Sequence, residues 1–426
     1  MTGTTTHATY YEASAPARPH RAAAAGDFRT DVCVIGGGLT GISAALELAR
    51  RGYDVHVLEA ERVGSGASGR NGGQINFGFS VDTAELDGAV GAGLARQLWP
   101  MAVEAVDLID SRVAEHQIDC DLRRGFILAA AKARHVAGLR RDLDAMQNRY
   151  GYGSVEWLDR GAVAEVVGTD IYHGALRDPV SGHLHPLKYL LGLAEAAENL
   201  GAVIHENSPV RSVDPDSGEV RTAGAVVRAD HVVLAANAYL DGLMPPLAAR
   251  AMPVGTWVAT TRPLSAEERA GLLPGGECVC DTRAALDYYR FTADGRLLFG
   301  GGVSYLGRDA PERAAALLGR RIGRVYPSLR DIGIEFAWGG RVSVTMNRMP
   351  DFGRKGRRLL YAQGFSGQGV ALTGLAGLLM AEAVAGDAGR FDVFEGIRHR
   401  RFPGVDALRV PLLALGRFWY RLRDVL

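Results

Sequence analysis

The most regular pattern of apolar positions occurs early in the chain. Residues 31–35 form a short apolar run, typical of a strand that is buried on both faces. Over residues 42–49 the apolar positions recur at helical spacing. A second apolar run over residues 54–58 stops at Glu59. The pattern predicts a strand, a helix and a second strand in immediate succession.

Similar patterns predict further elements along the chain. Buried strands are expected at residues 202–205, 231–239, 254–260, 296–299 and 359–362. Helices are expected at 187–200, at 370–385, over most of 89–155, and as an amphipathic tail at 412–426. Because strands and helices alternate, the pattern indicates an α/β fold.

A glycine motif connects the first strand to the first helix. It fits G-x-G-x-x-G, in which the first glycine permits a tight turn and the second lets backbone amides approach a pyrophosphate. The third lets the helix pack close to the strand, and an acidic residue about 20 positions later can accept bonds from ribose hydroxyls. The candidate cofactor contacts here are Gly36, Gly38, Leu39, Thr40, Gly41 and Glu59.

These residues predict a dinucleotide site, and the alternative is a glycine-rich turn without a ligand. The carboxylate of Glu59 would repel a 2′-phosphate, which disfavours NADP. The strand, turn and helix by themselves do not distinguish NAD from FAD.

A second glycine-rich loop follows Glu59 directly, where an NAD domain would continue into its next crossover helix. Such a loop brings many backbone donors toward a phosphate or a ring edge, and an arginine within it can add a charge-assisted contact. The candidate contacts are Ala60, Arg62, Gly66, Ala67, Ser68, Arg70, Asn71, Gly72, Gly73 and Gln74.

A third glycine loop separates the predicted strand at 359–362 from an amphipathic run. A helix that begins at such a loop can direct its backbone amides at an anion; the alternative is an ordinary capped helix. The candidate contacts are Gly364, Phe365, Ser366, Gly367, Gln368, Gly369 and Val370.

Composition narrows the possible partners. The 48 basic and 48 acidic residues cancel, so the footprint of a nucleic-acid-binding protein is absent. The four cysteines form no Cys-x-x-Cys pair, and no metal site is expected. The longest apolar stretch, at 370–386, contains Glu382 and is too short to span a membrane. Since the N-terminus also lacks a secretory apolar region, we expect a cytoplasmic protein.

The loop at 59–74, Glu-Ala-x-Arg-x-Gly-x-Gly-Ala-Ser-Gly-Arg-Asn-Gly-Gly-Gln, resembles the FAD loop of the D-amino-acid-oxidase-like (DAO) flavoproteins. Within that family the chain is most similar to the gamma-glutamylputrescine oxidases. The resemblance spans nearly the whole chain, including the stretches at 10–14, 286–290, 348–354, 402–404 and 408–411.

The resemblance implies an α/β composite fold. It comprises a Rossmann-like FAD-binding domain of the glutathione-reductase type with an inserted substrate domain built on an antiparallel sheet. We expect an N-terminal arm at 1–26, an FAD-binding domain at 27–88, 156–243 and 336–426, and a substrate domain at 89–155 and 244–335.

The resemblance also assigns cofactor neighbours. It places Asn71–Gln74 along the flavin, Val210 near adenine, and Ala235 and Ala236 at the pyrophosphate. It places the loop at 364–369 at the flavin N1/C2=O edge. The family usually has His where this chain has Gln368, and because Gln does not titrate near neutral pH, we expect no cation at this position.

The activity implied is oxidation of a C–N bond. A neutral amine gives a hydride to flavin N5, the imine hydrolyses, and O2 takes the electrons to give hydrogen peroxide. Arg290 is the candidate clamp for a substrate carboxylate, with Tyr288 and Tyr289 as wall residues. His183 or His185 could take a proton, although a structural role suits each better. The oligomeric state is not predicted.

Other functions remain open. They are a dehydrogenase of the same fold with a quinone or carrier protein as acceptor, an oxidase of another secondary amine or amino acid, an NAD(P)H-dependent flavin monooxygenase, and a catalytically silent FAD-binding protein. No second nucleotide fingerprint supports the monooxygenase.

We predict that the FAD is bound noncovalently, because neither residues 66–76 nor residues 339–350 contain a Cys or His that could attach it. Acid precipitation should release the yellow colour into the supernatant, which absorbance spectroscopy measures. Yellow colour that stays in the washed pellet would contradict the prediction.

Overall fold

The structure is a computed structural model that describes residues 9–240, 242–304 and 311–403. Within these residues the strands are β1 (Gly26–Ile35), β2 (Val55–Leu58), β3 (Gln74–Ile75), β4 (Arg123–Ala129), β5 (Glu156–Leu158), β6 (Ala175–His183), β7 (Val203–His205), β8 (Ser212–Val213), β9 (Glu219–Arg221), β10 (Ala225–Leu234), β11 (Ala251–Thr261), β12 (Cys278–Asp281), β13 (Asp287–Phe291), β14 (Leu297–Ser304), β15 (Ile334–Thr345), β16 (Asp351–Lys355) and β17 (Leu359–Gln363).

The α-helices of the same residues are α1 (Tyr10–Ser14), α2 (Leu39–Arg50), α3 (Leu86–Val90), α4 (Ala92–Glu115), α5 (Val136–Asp144), α6 (Arg160–Val167), α7 (Pro186–Asn199), α8 (Pro245–Ala248), α9 (Ala266–Arg269), α10 (Pro311–Val325), α11 (Gly369–Val384) and α12 (Gly389–Glu395). The predicted tail helix at 412–426 lies outside the described residues.

The first sheet has the strand order β16-β17-β10-β1-β2-β7, and β8 and β9 extend it beside β10. Strands β17, β10, β1, β2 and β7 are parallel to one another, while β16 is antiparallel to β17 and β9 is antiparallel to β10. Val32, Cys33 and Val34 of the central strand are fully buried, as expected for a strand covered on both faces. The predicted Rossmann-like sheet is confirmed.

The second sheet has the order β15-β11-β14-β13-β12-β4-β6-β3, with β5 beside β6. Its pairings are antiparallel except for β12 with β4. An apolar core on one side of this sheet includes Tyr289, Phe299 and residues of α6 and α10. The expected antiparallel sheet is therefore present.

Sheet membership differs from the segments predicted for the two domains. Strands β5 and β6 lie within 156–243, and most of β15 lies within 336–426, yet all three belong to the second sheet. Residues 89–155 also contain β4, which joins that sheet. Strand pairing joins segments that are distant in sequence, so an apolar pattern alone does not place these boundaries.

The strand predicted at 231–239 is too long. It ends at Leu234, and Asn237–Tyr239 forms a 3₁₀ turn. Asn237 has a φ of +45°, which an extended strand cannot contain. The other predicted strands at 202–205, 254–260, 296–299 and 359–362 and the helices at 187–200 and 370–385 agree with the structure within a few residues.

Helix α2 is held against α4 by a buried ion pair. The Arg112 guanidinium donates to the Glu47 carboxylate at 3.2 Å and to the Ser43 hydroxyl at 3.0 Å. Burial acts to raise the pKa of Glu47, but the nearby arginines, Arg112 first, outweigh it and hold that pKa below its ordinary value. The pair thus fixes the helix that follows the glycine motif.

None of the helices in the described ranges combines the length and apolar character that a membrane crossing requires.

We predict that Arg112→Met lowers the free energy of unfolding by roughly 3 kcal/mol, because it leaves Glu47 buried with weaker compensation. Urea denaturation followed by circular dichroism measures the change. Arg357→Met is the control, since Arg357 is 82% exposed in its ion pair with Asp216 and should change stability by less than about 1 kcal/mol. Equal effects of the two variants would contradict this role of Arg112.

Candidate active site

The carboxyl ends of four parallel strands meet at one edge of the first sheet. Gly36 follows β1, Glu59 follows β2, Ala235 follows β10 and Gly364 follows β17. In open α/β sheets, ligands bind in the crevice outside this edge. The three glycine clusters recognised in the sequence are therefore brought together although more than 300 residues separate the first from the last.

The turn after β1 has no room for side chains. Gly36 has a φ of +109°, and a Cβ atom there would lie 2.8 Å from the carbonyl oxygen of Ala235. A Cβ atom on Gly41 would overlap the carbonyl oxygen of Gly36. Both glycines are thus required by the close approach of α2 to β1 and β10.

The start of α2 suits an anion. Gly38 is the N-cap residue and has no side chain to cap the helix, so backbone amides are left at a positive helix end. The amide of Leu39 donates to the Ser68 hydroxyl at 2.9 Å. The Ser68 hydroxyl of the second glycine loop therefore lies at the helix end where a pyrophosphate would bind.

Glu59 closes the other side of this turn. Its carboxylate accepts hydrogen bonds from the amide of Gly37 at 2.6 Å and from the amide of Glu61 at 3.0 Å. Burial raises the pKa of Glu59, and these amide hydrogen bonds oppose the rise. The segment 207–208, just before Val210, contacts the backbone here, since the Ser208 amide donates to the Glu59 carbonyl.

The second glycine loop leads from the first sheet to the second and so borders the space between them. The Asn71 side chain holds it in shape by donating to the carbonyls of Ala67 and Ser68 at 3.0 Å and accepting from the Gly73 amide at 2.8 Å. The Gln74 side chain donates to the carbonyl of Val279 in β12. The amide groups of Asn71 and Gln74 are thus used within the protein.

Arg70 is anchored to β15. Its Nε donates to the Gly339 carbonyl at 2.7 Å, and the Trp338 indole donates to the Arg70 carbonyl at 3.0 Å. A Cβ atom on Gly340 would lie 3.6 Å from Cβ of Arg70. The loop and β15 therefore pack backbone to backbone, and Trp338 is a site residue that periodicity alone did not indicate.

The C-terminal glycine loop is held by three segments that are distant in sequence. The Gly364 amide donates to the Asn237 side chain at 3.0 Å, and the Ser366 amide donates to the Ser343 carbonyl at 2.9 Å. The Ser80 hydroxyl donates to the Ser366 carbonyl at 2.8 Å. Gln368 is the N-cap residue of α11 and makes no side-chain capping bond, so this helix also begins with uncapped amides.

Arg290 has a different environment from the predicted one. Its side chain donates to the carbonyls of Gly72 at 2.8 Å, Leu184 at 2.9 Å and Phe291 at 3.3 Å, and to the Tyr11 hydroxyl at 3.3 Å. Arg290 is only 2% exposed. Its donors are directed at protein acceptors, so Arg290 is not placed as the predicted clamp for a substrate carboxylate.

Tyr289 is also not a wall residue. Successive side chains of β13 point to opposite faces, and Tyr289 lies in the apolar core, where its ring stacks on Phe299 at 5.3 Å and its hydroxyl contacts Tyr172. Tyr288, its neighbour, faces the glycine loop, since a Cβ atom on Gly72 would lie 2.6 Å from the Tyr288 ring.

The two candidate histidines are buried and neutral. The His183 Nε2 donates to the Gly276 carbonyl at 3.0 Å, and His185 caps α7 by accepting from the Lys188 amide at 3.1 Å. Burial, followed by the charge of Arg290, lowers the pKa of each to about 3. His183 is therefore not placed as the predicted proton acceptor, and the structural interpretation of His185 agrees with its contacts.

Tyr11 is the main site residue that pattern analysis missed. The N-terminal helix α1 begins with a capping box of Thr9 and Glu12, and the Tyr11 hydroxyl donates to the Asn71 carbonyl at 2.7 Å. The Tyr11 ring packs edge-on against His185 and Trp338. Helix α1 is thus bonded to the second glycine loop, and the motif at 10–14 was the sequence signal for it.

The cradle fits an extended dinucleotide, because Gly36 and Gly41 let the turn and α2 approach the neighbouring strands closely, and the N-cap residues of α2 and α11 make no side-chain capping bond. No group of three or more His, Cys, Asp or Glu residues suited to a metal ion occurs in the part of the chain that the structure describes.

Sequence comparison with known proteins agrees with a dinucleotide site at this position. The DAO family of FAD dependent oxidoreductases matches residues 31–383. The chain is 44% identical over 396 residues to gamma-glutamylputrescine oxidoreductase of Escherichia coli strain K12, with 92% of each chain covered.

Two solved structures have the same fold. Glycine oxidase from Geobacillus kaustophilus aligns with a TM-score of 0.71 and 25% identity, over 84% of this chain and 95% of that one. L-proline dehydrogenase from P. horikoshii aligns with a TM-score of 0.71 and 22% identity, over 87% and 97%. Together with the cradle, the family match shows that this chain is an FAD-dependent oxidoreductase and belongs to the DAO family.

Proposed function

We propose that the chain oxidises the C–N bond of an amine, as a gamma-glutamylputrescine oxidase does, with O2 as electron acceptor and hydrogen peroxide as product. The observation that carries the proposal is the 44% identity to gamma-glutamylputrescine oxidoreductase across 92% of both chains. When bound, FAD supplies the acceptor for a hydride from the carbon next to the amine nitrogen. The imine product would then hydrolyse in water.

The cofactor would be held by the three glycine clusters. The turn and helix end at 36–41 would contact the pyrophosphate, with Ala235 and Ala236 packed beside the turn and Glu59 at the ribose. Val210 would lie near the adenine. The loops at 66–74 and 364–370 would lie along the flavin, since both border the crevice between the sheets.

The side chains of the protein would hold the site in shape and exclude water from it. Tyr10 and Tyr11 of α1 are buried, and the Tyr11 hydroxyl donates to the Asn71 carbonyl of the second glycine loop, so the N-terminal segment covers this side of the site. His183 and His185 stay neutral and bonded to the protein, so a proton-accepting side chain is not assigned. A substrate that enters as the free amine needs no protein base for hydride loss, which fits these contacts.

Anaerobic mixing of the purified FAD-loaded protein with single amines tests the proposal. Gamma-glutamylputrescine should bleach the flavin absorbance faster than putrescine, glycine or proline, and turnover in air should release one hydrogen peroxide per amine. A peroxidase-coupled assay measures the peroxide. Bleaching without peroxide would indicate a dehydrogenase, and faster bleaching by another amine would overturn the substrate assignment.

We predict that Gly41→Ala strongly lowers the FAD content of the purified protein, because the new methyl group would force α2 away from β1. Absorbance at the flavin band relative to protein gives the content. Gly88→Ala is the matched control, since nothing lies within 4 Å of a Cβ atom at that helical position. A fully loaded Gly41→Ala protein would contradict the proposed role of the turn.

A further inference from the structure

Arg290 is a buried cation whose described partners are all neutral. It is 2% exposed and donates to three backbone carbonyls and one tyrosine hydroxyl. Among the residues that the structure describes, no carboxylate lies within 4.0 Å of its guanidinium nitrogens.

The other buried arginines are different. Arg112 is 1% exposed and pairs with Glu47, and Arg21 is 6% exposed and pairs with Glu198 and Glu206. Removing a charge from water is costly unless a counter-charge or polar groups compensate it. At Arg290, among the described residues, only dipolar groups compensate the cost of burying the charge. The uncancelled charge therefore indicates a functional role.

The groups around Arg290 preserve its charge. His183, His185 and Cys278 are titratable neighbours of Arg290. Burial together with the field of Arg290 lowers the pKa of both histidines to about 3, and burial raises the pKa of the Cys278 thiol despite Arg290. Tyr11 is fully buried, and burial raises its pKa above the ordinary value despite Arg290. No described neighbour therefore supplies a negative charge near neutral pH.

Arg290 lies beside the crevice between the two sheets. Arg290 and Tyr288 lie on the same face of β13, and that face packs on the second glycine loop. A Cβ atom on Gly73 would lie 2.8 Å from Nη2 of Arg290, so the guanidinium is in direct contact with the loop backbone. Tyr11 and Arg290 together hold the carbonyls of Asn71 and Gly72.

We propose that Arg290 is a positioning residue whose buried charge stabilises the negative charge that FAD acquires on reduction. The inference rests on the proposed function in one respect, namely that the flavin lies along the loop at 71–74. Reduction adds two electrons, and when a single proton follows, one negative charge remains on the cofactor. A fixed cation in a site of low dielectric constant makes that state more favourable.

The midpoint potential of the bound flavin tests the inference. It is measured by equilibrating substrate-free holoenzyme with a reference dye during anaerobic reduction, so no amine substrate enters the experiment. Arg290→Gln should shift the potential to more negative values and lower the reduced-to-oxidised ratio at a fixed potential by about tenfold or more. Arg290→Lys keeps the charge and should stay close to the unaltered protein.

Two controls separate charge from structure. Arg96→Gln removes one positive charge from an exposed position and should leave the potential unchanged. Tyr11→Phe removes the hydroxyl that contacts Arg290 without removing a charge and should shift the potential much less than Arg290→Gln.

The outcomes are distinct. If FAD-loaded Arg290→Gln has the potential of the unaltered protein, the inference is wrong. If Arg290→Gln does not fold, Arg290→Lys decides, because a purely structural role predicts that Lys also shifts the potential after losing the carbonyl contacts. If no amine bleaches the flavin but Arg290→Gln shifts the potential as expected, the proposed function fails and the inference stands.

Discussion

The close approach of helix α2 to strand β1 is the contact on which the site depends. It requires Gly41 to lie against the Gly36 carbonyl and Gly36 to lie against Ala235, which follows β10. With no side chains between them, the ends of β1 and β10 and the start of α2 meet within a few ångströms, and the helix amides point into the crevice. Helix α11 packs on α2 equally closely, since a Cβ atom on Gly377 would lie 2.5 Å from the Ser43 side chain.

Two buried arginines on either side of this contact, Arg112 and Arg290, have different roles. The Arg112 guanidinium fixes α2 from behind and has the Glu47 carboxylate as a buried counter-charge. Arg290 holds the second glycine loop from the other side through carbonyl groups, without a described counter-ion. A paired charge fixes geometry with little field, whereas an unpaired buried charge acts at a distance.

Much of the cofactor side could be predicted from the sequence, because its signals are local. The turn at 36–41, the acid at Glu59 and the two later glycine loops each follow a strand and precede a helix or an extended loop, so short-range patterns identify them. The substrate side could not be predicted in this way. Arg290, Tyr289 and His183 have the residue types that the chemistry suggests, but strand alternation and burial direct them elsewhere.

The sequence by itself determined the order of elements, the dinucleotide turn and the family, because these depend on spacing along the chain. Only the tertiary structure decided that β5, β6 and β15 join the second sheet and that Tyr11 reaches Asn71 across sixty residues of sequence. It also decided that the Arg290 side chain ends on carbonyls and not on a substrate. The reason is physical: which face a side chain occupies, and what lies opposite it, is set by pairing between distant strands that no local pattern encodes.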